Sequence, residues 1–173
     1  MKRKNFFIIF LTFIIFCFVV FLKGLDNSSF YVPKKNVGKK ILTFKSNDLF
    51  YNQEIKIDEL LSDNKLFLIN IWASWCAPCR AEHSILMQLS KNKSIKIIGL
   101  NYKDNSLNAK KYLNEFGNPY SNILSDNNGI ISIELGAYGV PETFIIDKNK
   151  IIIKKYVGPL NNESLKEIKV LLQ

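Results

Sequence analysis

Hydrophobic and polar positions change rhythm several times along the chain, and each change marks an element. Residues 6–22 run apolar, interrupted only by Thr12 and Cys17, which just reaches the length needed to span a bilayer. Residues 24–36 lose apolar periodicity and carry Asn27, Ser28, Ser29, Pro33, Lys34 and Lys35, the composition of a linker. Apolar pieces at 41–44 and 55–57, separated by Asn47, Asp48 and Asn52, predict a small hairpin. Residues 66–72 are almost continuously apolar, the pattern of a central strand buried on both faces. From Pro78 onward, Ala81, Ile85, Leu86 and Leu89 recur at helical spacing, so residues 66–89 predict a strand, a short turn and a helix.

A second unit repeats that order. Residues 95–100 predict a strand, and Ala109, Tyr112, Leu113 and Phe116 line one face of a helix. A loop at 125–129 and a short helical piece at 130–135 follow. Residues 143–146 and 151–157 then read as two strands joined at 147–150, a hairpin. Leu165, Ile168 and Leu172 mark a last amphipathic helix, started by Asn161 or Asn162 as the cap. The alternation predicts an α/β sandwich with helices on both faces. Its sheet is expected to be mixed, parallel in the first half through right-handed crossovers and antiparallel at the end. The chain therefore divides into a basic flank and transmembrane helix over 1–22, a linker over 23–36 and one folded domain over 37–173.

Charge predicts the orientation of the anchor. Lys2, Arg3 and Lys4 precede the apolar run and Lys23 closes it. The basic flank is expected to stay cytoplasmic, placing everything after Lys23 across the membrane, in the periplasm if the cell is a bacterium. A cleaved signal peptide is the competing reading, but Gly24, Leu25, Asp26 and Asn27 supply no pair of small residues for cleavage. Phe16 before Cys17 likewise lacks the small residue of a lipidation site, leaving Cys17 an inert membrane thiol. From Gly24 onward the chain holds 20 basic and 15 acidic residues, a balance of +5. These are spread singly or in pairs, with no aromatic-basic face for nucleic acid.

The motif that carries chemistry is Trp75-Cys76-Ala77-Pro78-Cys79. Two thiols three positions apart at a helix start can close a small disulfide, and the free amides and partial positive charge of the helix favour a thiolate there. Cys76, at the helix edge and more exposed, is expected to attack. Cys79, one turn inward, is expected to resolve the mixed disulfide. Pro78 suits the first turn, where no amide hydrogen is missed. Ala77 and Pro78 leave few donors beyond the backbone to stabilise the thiolate. A purely structural disulfide is the blander reading, but so small a loop constrains the unfolded chain little. A zinc site needs more ligands than one CxxC and the sole histidine, His83, provide; no metal is expected, and His83 reads as a surface or packing residue. Trp72 is expected to pack against the sheet. Trp75 adjoins the nucleophile, to shield it or to touch a partner.

Residues 70–83 resemble the active-site signature of thioredoxin-like proteins, and the ending Cys79-Arg80-Ala81-Glu82-His83 resembles the DsbE (CcmG) family of cytochrome c maturation. Residues 99–104 (GLNYKD), 117–120 (GNPY) and 136–147 (GAYGVPETFIID) are similar to the same family, so the likeness covers nearly everything from Val37 onward. Residues 38–44 (GKKILTF) depart from it in lacking prolines after the Gly-Lys pair.

The resemblance implies a thioredoxin-like fold and a thiol:disulfide oxidoreductase. It implies that Pro141 is a cis-proline facing the cysteines, with Val140 presenting its backbone beside Cys76 to an extended substrate strand. A trans proline at a strand start is the plain alternative. Glu142 and Glu82 match acidic residues near the site, where a partly buried carboxylate relays protons to Cys79 or raises a thiol pKa; a solvated surface charge is the default for either. The implied function is that of a dithiol reductant in an oxidising compartment, fed by a membrane electron transporter. It keeps the haem-binding cysteines of apocytochrome c, or a haem-lyase-associated thiol protein, reduced, with no cofactor beyond the Cys76–Cys79 disulfide. Alternatives are a general periplasmic disulfide reductase or oxidase of the same fold, a peroxidase, and a non-enzymatic haem-assembly scaffold.

Overall fold

The computed structural model describes residues 2–26, 36–62 and 65–172. The chain divides into two compact units, Met1–Pro33 and Lys34–Gln173. The first holds helix α1 (Lys2–Asp26), whose stretch Arg3–Gly24 is 22 residues long and apolar enough to cross a membrane. At 1.5 Å per residue this is about 33 Å, the thickness of bilayer hydrocarbon. Its large apolar side chains are exposed all round, which fits a transmembrane anchor, and Cys17 lies among them unpaired. Sequence ended the anchor at Leu22. The helix instead continues to Asp26, and Lys23 sits favourably in its last turn. The linker expected over 23–36 therefore begins inside α1, and its residues 27–35 lie outside the described residues.

The second unit contains β1 (Lys45–Asp48), β2 (Glu54–Lys56), α2 (Ile57–Leu60), β3 (Leu66–Trp72), α3 (Ala77–Leu89), β4 (Ile95–Tyr102), α4 (Ser106–Phe116), β5 (Asn122–Asp126), α5 (Ile130–Glu134), β6 (Glu142–Ile146), β7 (Ile152–Val157) and α6 (Asn162–Val170). The strands form one mixed sheet in the order β2-β1-β5-β4-β3-β6-β7. β3, β4 and β5 run parallel, joined by α3 and α4, and every other pairing is antiparallel. The parallel segment thus lies mid-sheet with antiparallel pairs at both ends; sequence placed them only at the last.

Period-two alternation divides the core between the two faces. Leu68 and Trp72 of β3 join Ile85, Leu86 and Leu89 of α3, Tyr112 and Leu113 of α4, and Leu165 and Ile168 of α6. Phe67, Ile69 and Ile71 pack on the other face with Ile57, Leu60, Leu100, Phe144 and Ile146. Asn161 is the cap of α6, its side chain accepting from the amides of Glu163 and Ser164.

Two strands depart from the sequence reading. The hairpin is present, but its first arm is Lys45–Asp48 rather than 41–44. Apolar residues 41–44 form a connection, with Ile41 buried beneath the sheet and Lys40 bridging to Ile151. The strand itself turns inward the polar Ser46, which donates to the Ser125 carbonyl, and Asp48, which accepts from the amides of Phe50 and Tyr51. β5 takes up residues 125–126, expected as loop, because its parallel pairing with β4 outweighs the weak strand character of Asn122, Ser125 and Asp126.

Candidate active site

β3 ends at Trp72, the chain turns through residues 73–76, and Cys76 becomes the N-cap of α3. Cys76 and Cys79 are joined in a disulfide with Cα atoms 5.3 Å apart, and Cys76 Sγ accepts a hydrogen bond from the Cys79 amide at 3.1 Å. This is the helix-terminal donor expected beside the first sulfur. Ala77 and Pro78 fill the first helical positions, where proline costs no hydrogen bond. One expectation is corrected: Cys76 and Cys79 are each only 3% exposed. Bonded to each other, both pack into the cluster of Trp72, Ala73 and Leu165.

The Val140–Pro141 bond is cis. Glu142, the next residue, pairs with Ile71 near the end of β3. That register sets Pro141 beside the turn that carries Cys76, with Val140 half-buried at the boundary between the two core clusters. Trp75 is 57% exposed, whereas Trp72 is buried and stacked on Tyr120 with centroids 5.4 Å apart. His83 is a buried packing residue. Its ring lies edge-on to Tyr112, Nε2 is 3.2 Å from the Phe116 carbonyl, and burial lowers its pKa. Among the described residues no cluster of His, Cys, Asp and Glu is arranged to hold a metal ion.

The two carboxylates differ in kind, and neither is a solvated surface charge. Glu82 lies one turn after Cys79 on α3 and is 0% exposed. Asn70 Nδ2 donates to its Oε1 at 2.8 Å and the Leu160 amide to its Oε2 at 2.8 Å. Burial raises its pKa to about 7, with those two donors pulling the other way. Glu142 sits against two backbone amides and a cation. Its Oε1 accepts from the amides of Tyr138 and Gly139 at 2.7 and 3.2 Å, and its Oε2 lies 2.8 Å from Lys155 Nζ. Both side chains of that pair are 1% exposed. The lysine also donates to the Gly136 carbonyl and stands over the Tyr138 and Phe144 rings. Glu142 therefore fastens the loop that leads into the cis-proline.

Sequence reasoning missed the partners of both carboxylates. Asn70 is the one polar residue in the run LFLINIW, and that break was a usable signal. Its Oδ1 accepts from the Tyr120 hydroxyl at 2.8 Å and its Nδ2 also donates to Thr143 Oγ1 at 3.0 Å. Gly99 makes room for these side chains. A Cβ there would meet Trp72 Nε1 at 2.9 Å and Tyr120 Cγ at 2.9 Å. The substitution Gly99→Ala is accordingly expected to destabilise the fold by about 1–3 kcal/mol through overpacking, read as a lower urea midpoint.

Residues 36–172 match the model of the redoxin family. The thiol:disulfide interchange protein DsbE of Vibrio cholerae is 39% identical over 171 residues, covering 96% of this chain and 92% of that one. The DsbE of Escherichia coli is 42% identical over 125 residues, 72% of this chain and 67% of its own. Among solved structures, a DsbF homologue from Corynebacterium diphtheriae superposes with a TM-score of 0.66 at 21% identity, over 82% of this chain and 89% of that one. That likeness places the fold among thioredoxin-like proteins.

Proposed function

The chain belongs to the DsbE family of thiol:disulfide interchange proteins within the redoxins, and from that premise we propose that it is a membrane-anchored dithiol reductant serving cytochrome c maturation. The observation that carries the reading is the Cys76–Cys79 pair at the N-terminus of α3 beside a cis-proline. The basic residues that open α1 favour a cytoplasmic N-terminus, and on that reading the domain faces the periplasm. There its substrate is the disulfide of apocytochrome c haem-binding cysteines, or of a partner thiol protein, and a membrane electron transporter regenerates the dithiol. The disulfide itself is the only redox group the reaction requires.

In the reduced protein the Cys76 thiolate attacks one sulfur of the substrate disulfide. A mixed disulfide forms and the first substrate thiolate leaves. Cys79 then loses its proton, attacks Cys76 Sγ, restores the bond seen here and releases the second substrate sulfur. Two electrons pass from the protein pair to the substrate pair. Glu82, on the same helix face one turn beyond Cys79, is the proton acceptor for the second step. Glu142 and Lys155 act earlier, by holding the loop of Val140 and Pro141 against which an extended substrate lies.

Cys79→Ser tests the assignment. The variant is expected to accumulate a mixed disulfide through Cys76 with an apocytochrome c peptide, visible as a dithiothreitol-sensitive mass increase. Failure to capture any thiol partner, together with a Cys76–Cys79 bond that a glutathione redox buffer never opens, would remove the proposal. A reduction potential well above those of the compartment's other thiol pairs would reverse the direction of electron flow.

A further inference from the structure

Trp75 presents a puzzle that the exchange chemistry leaves unanswered. It is a large apolar side chain beside the reacting sulfur, 57% exposed, yet it is not loose. Its indole Nε1 donates to the Lys103 carbonyl at 3.1 Å. Lys103 reaches that position with φ 43°, the left-handed region that a lysine enters at a cost. The next residue, Asp104, takes both hydrogens of Ser74, the amide on Oδ2 at 2.6 Å and the hydroxyl on Oδ1 at 2.8 Å. Asn101 Nδ2 and the Asn105 amide also donate to this carboxylate, and the Lys103 amide is anchored on the Asp126 carbonyl. Arg80 closes the tie from the other side, donating to the Ser74 carbonyl at 3.1 Å.

We propose that the loop of residues 103–105 is a substrate-selecting clamp, in which Asp104 and the Lys103 carbonyl hold Trp75 as a preset aromatic contact for the polypeptide flanking an incoming disulfide. The inference deepens the thiol-exchange reading and rests on it. Attack by Cys76 needs no indole, so a small disulfide gains nothing from the clamp. A polypeptide must lay a side chain or backbone segment across the turn, and an aromatic surface already fixed in place loses little freedom when it does. Asp104 is thus a positioning residue that acts through Trp75, and discrimination between polypeptide and small disulfides is what it supplies.

A double-mutant cycle on the detergent-solubilised full chain tests this. Asp104→Ala, Trp75→Ala and the pair are fully reduced and mixed in single turnovers with two oxidants, bis(2-hydroxyethyl) disulfide and a synthetic peptide whose two cysteines, two residues apart, form a disulfide. Freezing one such side chain is worth up to about tenfold in binding. Asp104→Ala is therefore expected to raise the half-saturating peptide concentration about tenfold, and to slow the small disulfide by less than about twofold. In the Trp75→Ala background the same substitution should change the peptide value by less than about twofold. Acrylamide quenching of Trp75 should rise in Asp104→Ala. Asp104→Asn keeps the size and one acceptor oxygen, so it is expected to fall between wild type and alanine, and it carries the test if alanine fails to fold. Equal losses on both oxidants, additive losses in the cycle, or an unaltered peptide response would overturn the clamp. A wild-type chain that reduces neither oxidant would overturn the thiol-exchange premise and the clamp with it.

Discussion

Lys155→Met is expected to destabilise the domain by about 3–5 kcal/mol, because it leaves the Glu142 carboxylate charged and unpaired in the core. The Lys155 and Glu142 side chains are both 1% exposed, with Nζ and Oε2 2.8 Å apart. Methionine keeps a flexible apolar side chain of similar length, but the ammonium that stands over the Tyr138 and Phe144 rings is lost with the charge. What goes is the counter-charge and the donor to the Gly136 carbonyl. The comparison that isolates the charge is Lys155→Met with Glu142→Gln, which should recover most of the loss, since a neutral amide still accepts from Tyr138 and Gly139. Urea unfolding of the full chain in detergent measures both. A single variant within about 1 kcal/mol of wild type would mean that the carboxylate has found water or a proton, and that the cis-proline loop does not depend on the pair.

This pair also marks where sequence reading stopped. The anchor, the central strand β3, the CxxC at the head of α3 and the closing hairpin were legible because each is written in neighbouring residues: an apolar run, a 3.6-residue period, two cysteines three apart. Pro141 and Glu142 were reached only through resemblance, and Lys155 not at all. Its significance depends on strand pairing that sets it beside the Glu142 side chain across the β6–β7 hairpin. Asn70, Tyr120 and Thr143 have the same character, since Asn70 meets Glu82, Tyr120 and Thr143 across separations of 12, 50 and 73 residues. β1 and β5 escaped for a different reason. Their inward side chains include Ser46, Asp48 and Asp126, which are buried by bonding to backbone or to Ser132 rather than by apolar packing. A pattern of hydrophobic alternation has nothing to register there.

Glu82→Gln should slow the resolving step by about 100-fold or more near neutral pH, the scale of a lost general base, and should erase a titration from the pH profile. Burial pushes the carboxyl up to about 7, so near neutrality it is divided between both forms and can take a proton from Cys79 and return it. Glutamine keeps the size of the side chain and an oxygen for the Leu160 amide, but its amide neither takes up nor gives a proton near neutral pH. Wild-type conversion of mixed disulfide to the Cys76–Cys79 bond should therefore rise through pH 7, while that of Glu82→Gln follows only the thiol. Stability supplies a second reading with its own sign. With burial pushing the folded carboxyl up to about 7 from an ordinary 4.5, folding takes up a proton between those values. Stability is then full below about pH 4.5 and falls as pH rises to about 7, by roughly 3 kcal/mol in total. Glu82→Gln should lose that slope, and its advantage over wild type should grow with pH across the window. If the variant keeps both the slope and the rising limb, Glu82 is only a buried bracket between Asn70 and Leu160, and the proton of Cys79 leaves by another route.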